Sequence, residues 1–125
     1  MGKFRTGSVL AVLAAAVSLV AAVSAFGGGA AVTPTTVNVT AGKPGEFSFT
    51  LSKKTVKKKV TVFKVTNKGS VSHDFKIAGK KTASIKAGKT ATLRVTFTKT
   101  GKFAFLCTLP GHAAGGMKGT LTVVK

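Results

Sequence analysis

Beyond the initiating Met1, this 125-residue chain holds one cysteine, two histidines and one methionine, and three of these four fall in a single run, FLCTLPGHAAGGMKG, as Cys107, His112 and Met117. The second histidine, His73, opens the segment HDFKIAG after a turn at Asn67-Lys68-Gly69. A lone cysteine cannot close an internal disulfide. It is a free thiol, half of an intermolecular bridge, or a metal ligand. The bland alternatives are a buried inert thiol at Cys107, core filler at Met117 and strand-end histidines at His73 and His112. Those alternatives must all hold together, because the pattern uses every such side chain past the leader.

The elements that must bring these side chains together read as short β-strands. After Pro34 the runs are TTVNVTA (35–41), EFSFTLS (46–52), KVTVFKVTN (59–67), HDFKIAG (73–79), TASIKAG (82–88), TATLRVTFTK (90–99), GKFAFLCT (101–108) and GTLTVVK (119–125). They are rich in Val, Thr, Phe and Ile and are separated by turn sequences such as AGKPG, TNKGS and KTGK. Leu93, Val95 and Phe97 share one face by alternation, as do Phe103, Phe105 and Cys107, which aims the thiol inward. No helical period of useful length follows the leader. The expectation is an all-β, Greek-key sandwich or barrel of about eight antiparallel strands. The loop TLPG would deliver His112, and AAGG, whose glycines accept conformations other residues resist, would deliver Met117. Strands distant in sequence become neighbours in such a fold, so His73 can reach the same end.

Two imidazoles, a thiolate and a weak axial thioether make up the blue-copper donor set, in which soft sulfur suits Cu(I) and imidazole suits both oxidation states. Zinc is the runner-up metal, since it takes Cys and His but has no need of a methionine. Cys107-x4-His112-x4-Met117, preceded by GKFAFLC, followed by GTLTVV and with His73 upstream, resembles the cupredoxins, the small type 1 blue copper proteins. Its spacing is most similar to the auracyanin, rusticyanin and sulfocyanin branch. The resemblance covers most of residues 35–125 and implies a cupredoxin-type fold holding one copper ion. His73, Cys107 and His112 would be equatorial ligands and Met117 the axial one. Many family members carry Asn after the first histidine, where this chain has Asp74. A carboxylate there can accept hydrogen bonds from loop amides or Thr108, and its charge is expected to lower the reduction potential.

Four bound donors leave no position for a substrate, and extra histidines or a second cysteine for a larger copper cluster are absent. The expected role is therefore non-enzymatic: outer-sphere electron transfer through His112, set among Leu109, Pro110, Gly111, Ala113 and Ala114. The alternative is copper scavenging, storage or delivery, although the chain lacks His-rich or Met-rich tracts. A third reading is a basic wall-binding module in which the donors are incidental.

The leader MGKFRTGSVLAVLAAAVSLVAAVSAF has Lys3 and Arg5, an apolar run and Val23-Ser24-Ala25, the features of an export signal over 1–25, with an uncleaved membrane anchor as the alternative. Residues 26–34 read as a Gly/Ala-rich linker before the domain at 35–125. Periplasmic, extracellular or cell-surface placement follows. The whole chain carries a formal charge of +18; removing 1–25 takes away two of its 20 basic residues, leaving 18 against Glu46 and Asp74, a net +16. Such a field favours acidic redox proteins, or an anionic membrane or wall surface. The absence of Trp, Tyr and any recognisable nucleic-acid module argues against nucleic acid. A monomer is expected, with Lys53, Lys54, Lys57, Lys58 and Lys59 clustered around a turn.

Overall fold

A computed structural model describes residues 33–125; the expected export signal at 1–25 and most of the linker at 26–34 lie outside the described residues. The chain forms nine strands: β1 Thr35–Ala41, β2 Phe49–Leu51, β3 Thr55–Lys57, β4 Val60–Asn67, β5 Lys76–Ile77, β6 Lys80–Lys81, β7 Thr90–Thr96, β8 Gly101–Leu106 and β9 Lys118–Val124. One sheet runs β2-β1-β4-β7 and the other β3-β9-β8-β5-β6. The all-β sandwich read from the alternating runs is the observed architecture, and the described residues contain no helix.

Period-two alternation decides which side of each sheet is buried. On β1 it turns Val37 and Val39 inward, on β4 Phe63 and Val65, on β7 Leu93 and Val95, and on β9 Leu121 and Val123. Between the sheets, Phe75 forms the centre of an aromatic cluster, with ring centroids 5.2 Å from Phe63, 5.3 Å from Phe49 and 5.5 Å from Phe105. Each such buried ring contributes on the order of 2 kcal/mol by leaving water. Phe75 lies two residues after His73 and Phe105 two before Cys107, so the cluster also fixes where two candidate ligands emerge.

Several details differ from the sequence expectation. Pairing is mixed: β1 runs parallel to β4 and β3 parallel to β9, while the remaining ladders are antiparallel. Residues 46–48 leave the expected EFSFTLS strand because the chain curls there, with Gly42 N–H donating to Ser48 O at 2.9 Å and Gly45 N–H to Ser48 Oγ at 2.9 Å. TASIKAG is not a strand; only Ile85 pairs, in a single bridge with His73. Two short strands were hidden by lysine content, β3 inside the 53–59 cluster and β6 at Lys80–Lys81.

Candidate metal centre

The four donor-bearing residues meet at one end of the sandwich. His73 is pinned by its own backbone, which donates to Ile85 O at 3.1 Å and accepts from Ile85 N–H at 2.7 Å. Cys107 follows the last residue of β8, and Met117 precedes β9. The Cys107 amide donates to Met117 O at 3.1 Å, and the Met117 amide to His112 O at 3.1 Å. These two bonds close the 107–117 loop and tie its three donor residues to one another. The turn between them uses Gly111 at φ 81° and Gly116 at φ 117°, left-handed backbone that side-chain-bearing residues rarely adopt. Gly119 is needed for a different reason: a Cβ there would stand 2.5 Å from the Phe105 ring that packs beneath the cysteine strand.

The His73, Cys107 and His112 donor atoms all lie within 4.8 Å of one another. His73 Nδ1 stands 3.1 Å from His112 Nδ1, which in turn is 3.5 Å from Cys107 Sγ. Two imidazole nitrogens and a thiol sulfur gathered this closely are the donor types that would hold a single copper ion. His73 and Met117 are wholly buried and Cys107 nearly so, whereas His112 is partly exposed. With His73, Cys107, His112 and Met117 together, the group has the make-up of a type 1 copper site.

Both carboxylates of the chain are committed to this end of the molecule. Asp74 accepts the Thr108 amide at 2.6 Å on one oxygen and the Thr108 hydroxyl on the other, while its own amide donates to Cys107 Sγ at 3.4 Å. Glu46, from the loop between β1 and β2, accepts the amides of Ser70 and Val71 and lies 2.8 Å from His73 Nε2. The amides of Ser70 and Val71, aided by His73, hold the Glu46 carboxyl down at about 2. Burial pushes the Cys107 thiol above its ordinary range, partly offset by the Asp74 amide. A metal must displace that proton to gain the thiolate, so uptake is coupled to proton release. Phe47, exposed, sets its ring 4.8 Å from the His112 ring, extending the apolar surface around the one ligand that reaches solvent.

All four residues singled out from the sequence thus converge, and the expected contact of Asp74 with Thr108 is present. The roles of Glu46, Phe47 and Asn67 were not anticipated. Asn67 braces the turn before His73, donating to Val71 O and Ile85 O at 2.8 Å each and accepting from Gly69 N–H at 2.8 Å. For Glu46 a signal existed: a chain with 20 basic residues and two acidic ones has few reasons to keep an acid.

Residues 31–124 match the family described as copper binding proteins, plastocyanin/azurin family. Among curated proteins, the copper-resistant cuproprotein CopI of Pseudomonas aeruginosa is 49% identical over 39 residues, 31% of this chain and 22% of that protein. Auracyanin-B of Chloroflexus aurantiacus is 43% identical over 42 residues, 34% of this chain and 18% of its own length. The matched segments thus span about a fifth of those relatives. Among solved structures, auracyanin B superposes with a TM-score of 0.63 at 23% identity, over 77% of this chain and 94% of that one. Reduced rusticyanin gives 0.58 at 23%, over 75% and 81%. A multicopper oxidase gives 0.52 at 16%, over 70% of this chain but 42% of its own. At these identities the likeness is one of fold.

Proposed function

The chain belongs to the plastocyanin/azurin family of copper-binding proteins, and on that footing we propose that it is an exported carrier of single electrons, with His73, Cys107, His112 and Met117 as the ligands of one type 1 copper. A copper ion held there supplies a one-electron Cu(II)/Cu(I) couple. The carrying observation is the asymmetry of exposure within a converged donor set: three donors are buried, and His112 alone reaches the surface, beneath Phe47. Backbone bonds between Cys107, His112 and Met117 hold the 107–117 loop, which favours a site that rearranges little on electron transfer. His112 lies beside the Phe47 ring in a loop whose other residues include Leu109, Pro110 and Ala113, an apolar setting of the kind that transient redox encounters use. The chain's excess of lysines steers acidic redox proteins toward it. We assign no enzymatic reaction.

The test is the visible spectrum of the purified protein with Cu(II), repeated after ascorbate and on Cys107→Ser. A strong red-end absorption that bleaches on reduction, returns on oxidation and is missing from the variant is the expected result. Metal held without colour would favour zinc and sink the proposal. The likeness to the copper-resistant cuproprotein CopI favours a second reading, copper scavenging, storage or delivery. Facile transfer of bound Cu(I) to a competing chelator, with no electron exchange on the same timescale, would select it.

A further inference from the structure

Glu46 is 27 residues away from His73 in the chain, yet its carboxylate oxygen lies 2.8 Å from His73 Nε2. The same carboxylate accepts Ser70 N–H at 2.9 and 3.0 Å and Val71 N–H at 3.1 Å. Gly69 makes room for it, since a Cβ at that position would overlap the carboxylate. An ionised carboxylate only accepts, so the ring nitrogen facing it must carry the hydrogen; a neutral imidazole has one N–H, and Nδ1 is left with its lone pair aimed at His112 and Cys107. His73 is wholly buried.

We propose that Glu46 is a positioning residue of the metal centre: it fixes the His73 ring in the Nε2–H form with Nδ1 free to bind copper, and its negative charge favours the oxidised metal. Carboxylate partners of metal-bound imidazoles act in both ways, orienting the ring and raising its basicity. A purely structural clamp on the 69–71 turn is the competing role, but Asn67 already braces that turn through Gly69, Val71 and Ile85. Removing Glu46 therefore leaves the turn tied and the ring released. The proposal rests on the copper reading for its second half only.

The test compares the full chain with Glu46→Gln and Glu46→Ala. In the metal-free protein, nitrogen-15 spectra of the histidine rings should show His73 as the Nε2–H form in the parent and in Glu46→Gln, whose amide oxygen can still accept, and a mixture of forms in Glu46→Ala. An unmixed Nε2–H form in Glu46→Ala overturns the positioning role. In the copper-loaded protein, Glu46→Gln should lower the Cu(II)-over-Cu(I) preference by about tenfold, which for a one-electron couple is a rise of about 59 mV. An unchanged potential overturns the charge effect. A parent protein lacking the red-end absorption would count against the copper reading alone, because the metal-free ring spectra do not depend on it.

Discussion

Asp74 and Thr108 are joined twice, through the Thr108 amide at 2.6 Å and through its hydroxyl. One follows His73 and the other follows Cys107, so the link ties together two ligand-bearing segments that adjoin the neighbouring strands β5 and β8 of one sheet. The carboxylate also sits beside the sulfur that its own backbone amide approaches.

Substituting Asp74→Asn keeps an acceptor for the Thr108 amide and removes the charge. The reduction potential measured by voltammetry is expected to rise, with the visible band retained. Asp74→Ala removes both acceptors and should lower the unfolding free energy by about 1–3 kcal/mol in urea titration. A potential that does not rise in Asp74→Asn would remove the carboxylate from the list of tuning groups.

Phe75 touches the rings of Phe49, Phe63 and Phe105, and through Phe105 it joins the His73 segment to the Cys107 segment. Phe75→Ala is expected to cost about 3–5 kcal/mol. The metal affinity should fall with it, because the cavity lets the 73–75 and 105–107 segments shift. Phe75→Leu should recover most of the stability; recovery of stability without recovery of affinity would show that ring shape, rather than filled volume, sets the ligand positions.

Acid should weaken the metal-free fold through Glu46. Its carboxyl titrates near 4.5 in an unfolded chain and at about 2 when folded, so the folded state resists protonation. The stabilisation is complete above about pH 4.5 and is lost as the pH falls toward about 2. Melting temperatures across that window should fall less steeply in Glu46→Gln than in the parent. Superimposable profiles would contradict the amide and imidazole contacts described for this side chain.

The Phe47 ring over His112 should matter for encounters and not for the couple itself. Phe47→Ala is expected to slow electron self-exchange by on the order of fivefold, equivalent to about 1 kcal/mol of lost apolar contact, at unchanged potential. Two copies, each at a formal +18, repel, so self-exchange should speed up with added salt, while exchange with an acidic partner should slow down. Equal salt trends for both partners would exclude steering.

The ligand set was legible because the donors are so scarce: once Cys107, His112 and Met117 stand at even spacing, only His73 remains to complete them. The sandwich was legible from the alternation of Leu93, Val95 and Phe97 and of Phe103, Phe105 and Cys107. Parallel pairing of β1 with β4 was not, because alternation sets which face is buried and says nothing of a strand's neighbour or direction. TASIKAG looked like a strand by composition, yet it contributes one bridge whose use is to hold His73. Glu46 stood out only by the scarcity of acids; its contacts come from a loop fold that brings positions 46, 70, 71 and 73 together, and no local pattern encodes that.

The placement of the short edge strands gives the lysines a further use. The second sheet ends at β3, which contains Lys57 and is flanked by Lys53, Lys54, Lys58 and Lys59, and at β6, which is Lys80 and Lys81. An open strand edge is a template for pairing with another chain, and natural sheets blunt it with brevity and with lysine. A reagent that acylates lysine would strip that protection while leaving the buried centre untouched. The modified protein should then be lost to fibrous aggregation.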